Sequence, residues 1–457
     1  MFKLLKDKDF LQRFFKISFP VMLHAFILFI VNFLDNIMVG SVSNEAVSGV
    51  YAASQATYIL MIASYGVILG AGVFIQQFNG AKDEIRTREA FRYKIVVMLI
   101  FIALFLTVYY TFGHHLIWFY CHNDNNNLAI YNEGKKYLYV VVLSFIPYCL
   151  SMLYTTTVRE IGMTKYALYA GIYAVITNVI FNSIFIYGLK MGAVGAALGT
   201  IIARVVELIA IIIMCHRRQF AFCKGVFKNF KIEKALFLKI AKKSTLFLLN
   251  ELFWVFGIIL LSLAYAQRDN VLSALSIVSS ISNIFNIIFQ GLSIGIGVLV
   301  GSYLGQSKFE EAIIYTKKVY LLGFFMALLF GILIILLSPV IPYIFKEIIV
   351  EQKTLASKLL LIYGSLLWGN AMYTCCYVTL KTGGRALTTF LLDSGLNWCV
   401  SVPMAWLLVK FTNLDLIYIY LCVLSFDIIK FIIAISIVKK GSWLRNLTEL
   451  EDGEAYA

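Results

Sequence analysis

Apolar residues run through this chain in long blocks separated by short polar stretches. Twelve blocks reach the ~20 residues that a helix needs to cross a bilayer core. They are 17–40, 47–78, 94–115, 136–157, 166–188, 192–215, 242–266, 271–304, 319–345, 356–380, 386–409 and 414–438. This pattern predicts an all-α polytopic membrane protein of twelve transmembrane helices, with little chain left for a soluble domain. Residues 1–16 are polar and basic and lead into a full-length apolar block, so no cleavable signal peptide is expected.

Composition strengthens that reading, and charge adds a direction to it. Of 457 residues, 61% are hydrophobic and 14% charged, which excludes an ordinary soluble protein. The net charge of +14 would suit a nucleic-acid binder if the basic residues were clustered at random. They are sorted instead: of 39 Lys and Arg, 29 fall in loops on the side of the amino terminus and eight on the other, with Arg204 and Lys430 inside blocks. The positive-inside rule then predicts that both termini are cytoplasmic, in a plasma membrane of bacterial type, with the lipid bilayer and not nucleic acid as the partner. Seven of the eight cysteines lie in blocks or in the basic loop, so no disulfide framework is expected, and Cys375 and Cys376 should pack within the tenth block. No zinc, phosphate-loop or metalloprotease spacing occurs, and His24, His114, His115, His122 and His216 are too scattered to suggest a metal centre.

The chain also repeats itself. At an offset of 225 residues GAGVFIQQFNGA (70–81) aligns with GIGVLVGSYLGQ (295–306), and at 222 VREIGMT (158–164) aligns with LKTGGRA (380–386). Two six-helix lobes follow: 1–216, a basic linker at 217–241, and 242–457 with a short cytoplasmic tail. Each half has an even number of crossings, so the repeats are parallel and related by a pseudo-two-fold axis along the membrane normal, an arrangement of secondary transporters with a substrate path between the halves.

An ionisable side chain at the centre of a membrane helix costs about 2.5–3.5 kcal/mol, so each needs a partner or a role. Arg204/Glu207 and Asp427/Lys430 are spaced i, i+3 and are expected to neutralise each other as structural pairs. Asp35, Glu251 and Asp393 have no such partner within a turn. Asn178, Asn182 and Thr200 fall at a similar depth to Asp35, about 9–15 Å from the outer helix ends against about 7.5 Å for Asp35. Together they could form an oxygen-lined cation-coupling site, either for Na+ as the metal ion or for a proton on Asp35. Glu251, with Trp254 and Phe253 beside it, suits an organic cation or a second coupling ion. Asp393 is expected to line the inner path or to accept hydrogen bonds, and His24 is expected to be structural.

Several segments carry a family resemblance: LDNIMVGSVSNEAVSGV, GAGVFIQQFNGAKD, VREIGMTKYAL, NVIFNSIFIYG before GAVGAALGTIIAR, and KTGGRALTTFLLDSGLNWCVSVPMAWLL. In order and spacing they resemble the multidrug and toxic compound extrusion (MATE) family, from Pro20 to the WLRNLTEL tail. The resemblance implies two six-helix lobes and cation-coupled export of amphipathic, often cationic, compounds. It assigns Pro20 to the family's conformational proline, Asp35 to its essential aspartate, Asn178, Asn182 and Thr200 to its amino-terminal cation site, and Glu251 to its seventh-span glutamate. Asn182 and Asn370 stand where some members carry a second aspartate, and Arg385 stands where an acid often follows the paired glycines. The expected protein is therefore an H+- or Na+-coupled antiporter working by alternating access, non-enzymatic, without a resident cofactor, and monomeric. A flippase for lipid-linked saccharides is the alternative, and an integral membrane transferase is a more distant one.

Overall fold

The computed structural model describes residues 7–40, 44–121, 127–268, 271–345 and 348–449. Within these, the side chains of 31–37, 39–40, 44–48, 51–52, 55–56, 59–60, 116, 119–121 and 127 lie outside the described residues, Asp35 among them. All regular structure among the described residues is helical: α1 (Lys8–Gly40), α2 (Asn44–Gly80), α3 (Glu84–Cys121), α4 (Asn127–Val141), α5 (Phe145–Glu160), α6 (Thr164–Asn182) and α7 (Gly192–Arg217). These are followed by α8 (Lys234–Tyr265), α9 (Leu272–Gly305), α10 (Phe309–Leu337), α11 (Val350–Thr382), α12 (Ala386–Phe390), α13 (Val402–Phe411) and α14 (Leu416–Lys439). Among the described residues twelve stretches are long and apolar enough to cross a membrane, one overlapping each predicted block.

The helices overrun those blocks at their polar ends because capping residues start them outside the apolar run. The Asp83 carboxylate accepts from the backbone N–H of Arg86 at 2.9 Å, and α3 therefore begins ten residues before its apolar block. Asp7 does the same for Phe10 at 3.1 Å ahead of α1. On the outer faces large apolar side chains stay uncovered, for instance Ile100 and Leu329 at 64% and Leu336 at 67%. A surface of that kind is compatible with lipid and not with water.

Among the described residues three crossings are not continuous α-helix, and in the first of them a 3-10 turn at Val142–Ser144 separates α4 from α5. After α6 the chain takes a π-helical turn at Ser183–Gly188, and between α12 and α13 it takes two, Leu391–Gly395 and Asn397–Ser401. Such turns shift the register of side chains and recur at functional positions. Asn182 closes the helix before the first π-helical turn, and Asp393 lies inside the second.

The chain divides into two compact units. The N-terminal unit comprises Phe19–Ile75 and Lys82–Leu248; the C-terminal unit comprises Leu249–Ala457 with Met1–Ser18 and Gln76–Ala81. In the N-terminal unit α7 packs on α5 and α6, and in the C-terminal unit α11 packs on α9, α10 and α14. The division of α1 falls one residue before Pro20, whose missing N–H leaves an intrahelical bond unmade. The Gln76–Ala81 segment is held in the C-terminal unit by Gln77, whose amide donates to the Thr382 carbonyl at 2.9 Å and accepts from the Leu447 N–H at 2.7 Å. A Cβ at Gly80 would run into the backbone of Ser302, so only glycine permits that approach.

Candidate functional site

In the N-terminal unit two asparagines one helical turn apart share a buried face of α6. Asn182 Nδ2 donates to Asn178 Oδ1 at 3.2 Å. Gly199 of α7 lies against the Asn182 amide so closely that a Cβ there would collide with its oxygen. The next residue, Thr200, donates its hydroxyl to the Ala196 carbonyl at 2.9 Å, which leaves the oxygen's lone pairs as acceptors. The structure thus gathers Asn178, Asn182 and the Gly199–Thr200 turn, while the Asp35 side chain lies outside the described residues.

Elsewhere in the same unit are two contacts that the apolar pattern does not announce. Lys94 and Glu160 form an ion pair at 2.6 Å with side chains 0% and 9% exposed, and Lys94 also donates to Thr157 at 3.1 Å and Thr156 at 3.3 Å. Gly72 packs against the Glu160 carboxylate, where a Cβ would not fit. Arg159 donates from Nη2 to His24 Nδ1 at 2.8 Å, which puts the imidazole proton on Nε2; that nitrogen is buried against Gly171. Arg204 and Glu207 pair at 2.8 Å as the i, i+3 spacing predicts, with the guanidinium 5.0 Å from the Tyr148 ring.

The C-terminal unit builds a denser network around Asp393. Its Oδ1 accepts from the Tyr373 hydroxyl at 3.1 Å and its Oδ2 from Asn250 Nδ2 at 3.1 Å. Asn250 also donates to the Tyr377 hydroxyl at 3.0 Å and accepts from Ser394 at 2.8 Å. Tyr373 and Tyr377 are i, i+4 on α11 and so present both hydroxyls on one face. The π-helical turn places the adjacent Asp393 and Ser394 on the two sides of the Asn250 amide.

Glu251, half-buried on α8, is within electrostatic reach of Lys381 and Asp393. The aromatic packing beside it belongs to Phe253, whose ring meets Trp398 at 5.5 Å and Phe390 at 5.8 Å edge-on; Trp254 is 37% exposed. Asn370 donates to Asp427 Oδ2 at 3.0 Å, and Lys430 holds the other oxygen at 3.2 Å. A void of about 20 Å³ lies between Asn370, Asp427, Tyr363 and Leu366, large enough for one water.

Among the described residues no group of three His, Cys, Asp or Glu converges as a metal site. The donors present are amide, hydroxyl and carboxylate oxygens, which suit a hard monovalent cation or a proton and not a transition metal. Lys94, Glu160, Asn250 and Tyr373 make contacts that the sequence reading does not assign to them. The Tyr373/Tyr377 spacing and the run Thr155–Thr157 before Glu160 were the available signals.

The comparisons with known proteins agree with one another. A MatE family model matches residues 20–184 and 246–407. The chain is 22% identical over 388 residues, 82% of each chain, to the probable multidrug resistance protein YoeA of Bacillus subtilis. It is 24% identical over 451 residues to multidrug and toxin extrusion protein 1 of Xenopus tropicalis, covering 96% of this chain and 76% of that protein. Among solved structures, an outward-facing conformation of a multidrug resistance MATE family transporter matches with a TM-score of 0.85 at 16% identity, covering 94% of this chain and 95% of that one. At that identity the match speaks for the fold, and it agrees with the all-helical, twelve-crossing architecture. The family model matches residues in both compact units and well over half of the chain: this is a multi-pass membrane protein belonging to the MatE family.

Proposed function

We propose that this protein is an H+- or Na+-coupled antiporter that exports amphipathic, often cationic, compounds by alternating access, with both termini in the cytoplasm of a bacterial cell. The names of its relatives, a probable multidrug resistance protein and a multidrug and toxin extrusion protein, support the substrate class. The observation that carries the coupling is the Asp393 network: a carboxylate inside a membrane-spanning stretch, held by an amide and a phenol, whose charge can change without stranding a bonded cation. Asp35 with Asn178, Asn182 and Thr200 would hold the coupling ion in the N-terminal unit. Glu251, with Trp254, Asn370 and Asp393, would serve substrate or a second ion, and Pro20 would supply the bending point of α1. Ion and drug exchange only if they favour different states or compete for one site. The chain would act as a monomer and without a cofactor.

The deciding experiment is dye export from proteoliposomes holding wild type or Asp35→Asn, with pH and Na+ gradients imposed separately. One gradient driving export in wild type and not in the variant supports the reading and names the ion. Undiminished export by Asp35→Asn removes Asp35 from coupling, and inactivity with either gradient removes the antiporter.

A further inference from the structure

The basic segment between α7 and α8, residues 218–233, is folded onto the N-terminal unit and not left as a free tether. Arg92 of α3, itself buried, directs its guanidinium into the segment and donates to four backbone carbonyls: Val226 at 2.8 Å, Lys228 at 2.7 Å, Lys231 at 2.9 Å and Gly225 at 3.2 Å. Left-handed residues at Gln219, Gly225 and Asn229 turn the chain so that these carbonyls converge. The underside is apolar: Phe222, Cys223 and Val226 are buried, with the Phe222 ring 4.8 Å from Phe91 and 6.2 Å from Tyr154.

The opposite side has a different composition. Lys224, Lys228 and Lys231 are exposed there, and between them Phe227 is 67% and Phe230 43% exposed, the latter under the Arg92 guanidinium at 5.5 Å. Beside Lys224 opens a notch of about 300 Å³ lined by His216, Gln219, Cys223, Lys224 and Gly225. The flanking helices belong to stretches long and apolar enough to cross a membrane, Gly192–Arg217 and Lys234–Tyr265, so this surface joins two crossings just outside the apolar blocks 192–215 and 242–266. Lysines and uncovered phenylalanines alternating there have the chemistry of an interfacial anchor: ammonium groups for phosphate, rings for the acyl boundary.

We propose that residues 216–231 form a docking surface for anionic phospholipid headgroups. The phosphodiester seats in the notch between His216 and Lys224, Lys228 and Lys231 flank it, and Phe227 enters the acyl boundary. Arg92 positions the surface by fixing its backbone. The inference depends on the chain spanning a membrane and not on the coupling ion or the exported compound.

The test uses the full-length protein in phosphatidylcholine bilayers with or without phosphatidylglycerol. Backbone hydrogen exchange is read at 219–231, and retained lipid is read by native mass spectrometry. The expected result is protection of the segment in phosphatidylglycerol that weakens with added salt. Phosphatidylglycerol retention is expected to fall on the order of 100-fold in Lys224→Gln/Lys228→Gln/Lys231→Gln. A Phe227→Ser variant is expected to lose a smaller part. Equal protection in both bilayers, full retention by the triple variant, or equal protection by inorganic phosphate in detergent would each overturn the proposal. If the triple variant is not recovered folded, the wild-type exchange comparison decides.

Discussion

Glu160 in the N-terminal unit and Asp393 in the C-terminal unit are both carboxylates held within helical packing, but they are held by opposite means. Glu160 faces the Lys94 ammonium at 2.6 Å, with two threonine hydroxyls completing that cation's shell. Asp393 is bonded by an amide and a phenol, and among the described residues no basic group lies within ion-pairing distance. Protonating Glu160 would leave a buried ammonium without its counter-charge. Protonating Asp393 would cost a redistribution of neutral hydrogen bonds. The first arrangement suits a fixed joint between α3 and α5, and the second suits a group whose charge changes in a cycle. The i, i+3 pairs sharpen the contrast, because each unit forms one of them, Arg204–Glu207 and Asp427–Lys430, while Glu160 and Asp393 are held differently.

The comparison can be broken at three points. The largest effect is expected from Glu160→Gln, which strands Lys94 and should destabilise the protein by about 3–5 kcal/mol. Lys94→Met/Glu160→Met should recover most of that, measured by thermal unfolding in detergent; wild-type stability of the single variant would show that the pair is not a structural joint. Next, Asp393→Asn should keep stability within about 1 kcal/mol, since the amide can still take part in the network. Gradient-driven export should nevertheless fall at least tenfold, about 1.4 kcal/mol. Tyr373→Phe, which removes one donor and leaves the carboxyl, should reduce export less. Export by Asp393→Asn equal to wild type would make the two acids equivalent after all.

The smallest effect is at the surface, where Asp7 offers a third way of holding a carboxylate. The Lys318 ammonium at 2.6 Å and the Phe10 N–H hold its pKa below the ordinary carboxylate value. A group whose folded-state pKa is depressed contributes stability above its unfolded value and loses it as pH falls through the folded one. The melting temperature of wild type should therefore exceed that of Asp7→Asn at neutral pH, and the gap should close on acidification below the usual carboxylate range. A gap independent of pH would mean that the contact is not ionic.

Several of the polar contacts could be read from residue types alone, and the others share a common cause. Asn178 and Asn182 were legible because i, i+4 spacing on an apolar helix puts both amides on one side. The two i, i+3 ion pairs were legible for the same reason. Lys94 and Glu160 were not, because they sit at the ends of apolar blocks, where a charge is ordinarily solvated. Their burial depends on α3 and α5 meeting there, and on Gly72 leaving room for the carboxylate. In the sequence Asp393 is an acid without a partner within a turn. Its actual partners come from α8 and α11, 143 and 20 residues away in sequence, and it lies in a π-helical turn.

What the amino-acid sequence determined by itself is the number of crossings and the family. A bilayer forces each crossing to satisfy its own backbone, so every apolar block must become a helix wherever it packs. What only the tertiary structure decided is which polar groups meet. The choice among Lys94–Glu160, His24–Arg159 and the Asp393 network depends on interhelical distances set by glycines and on register shifts set by π turns. No periodicity along one helix encodes the position of its neighbour.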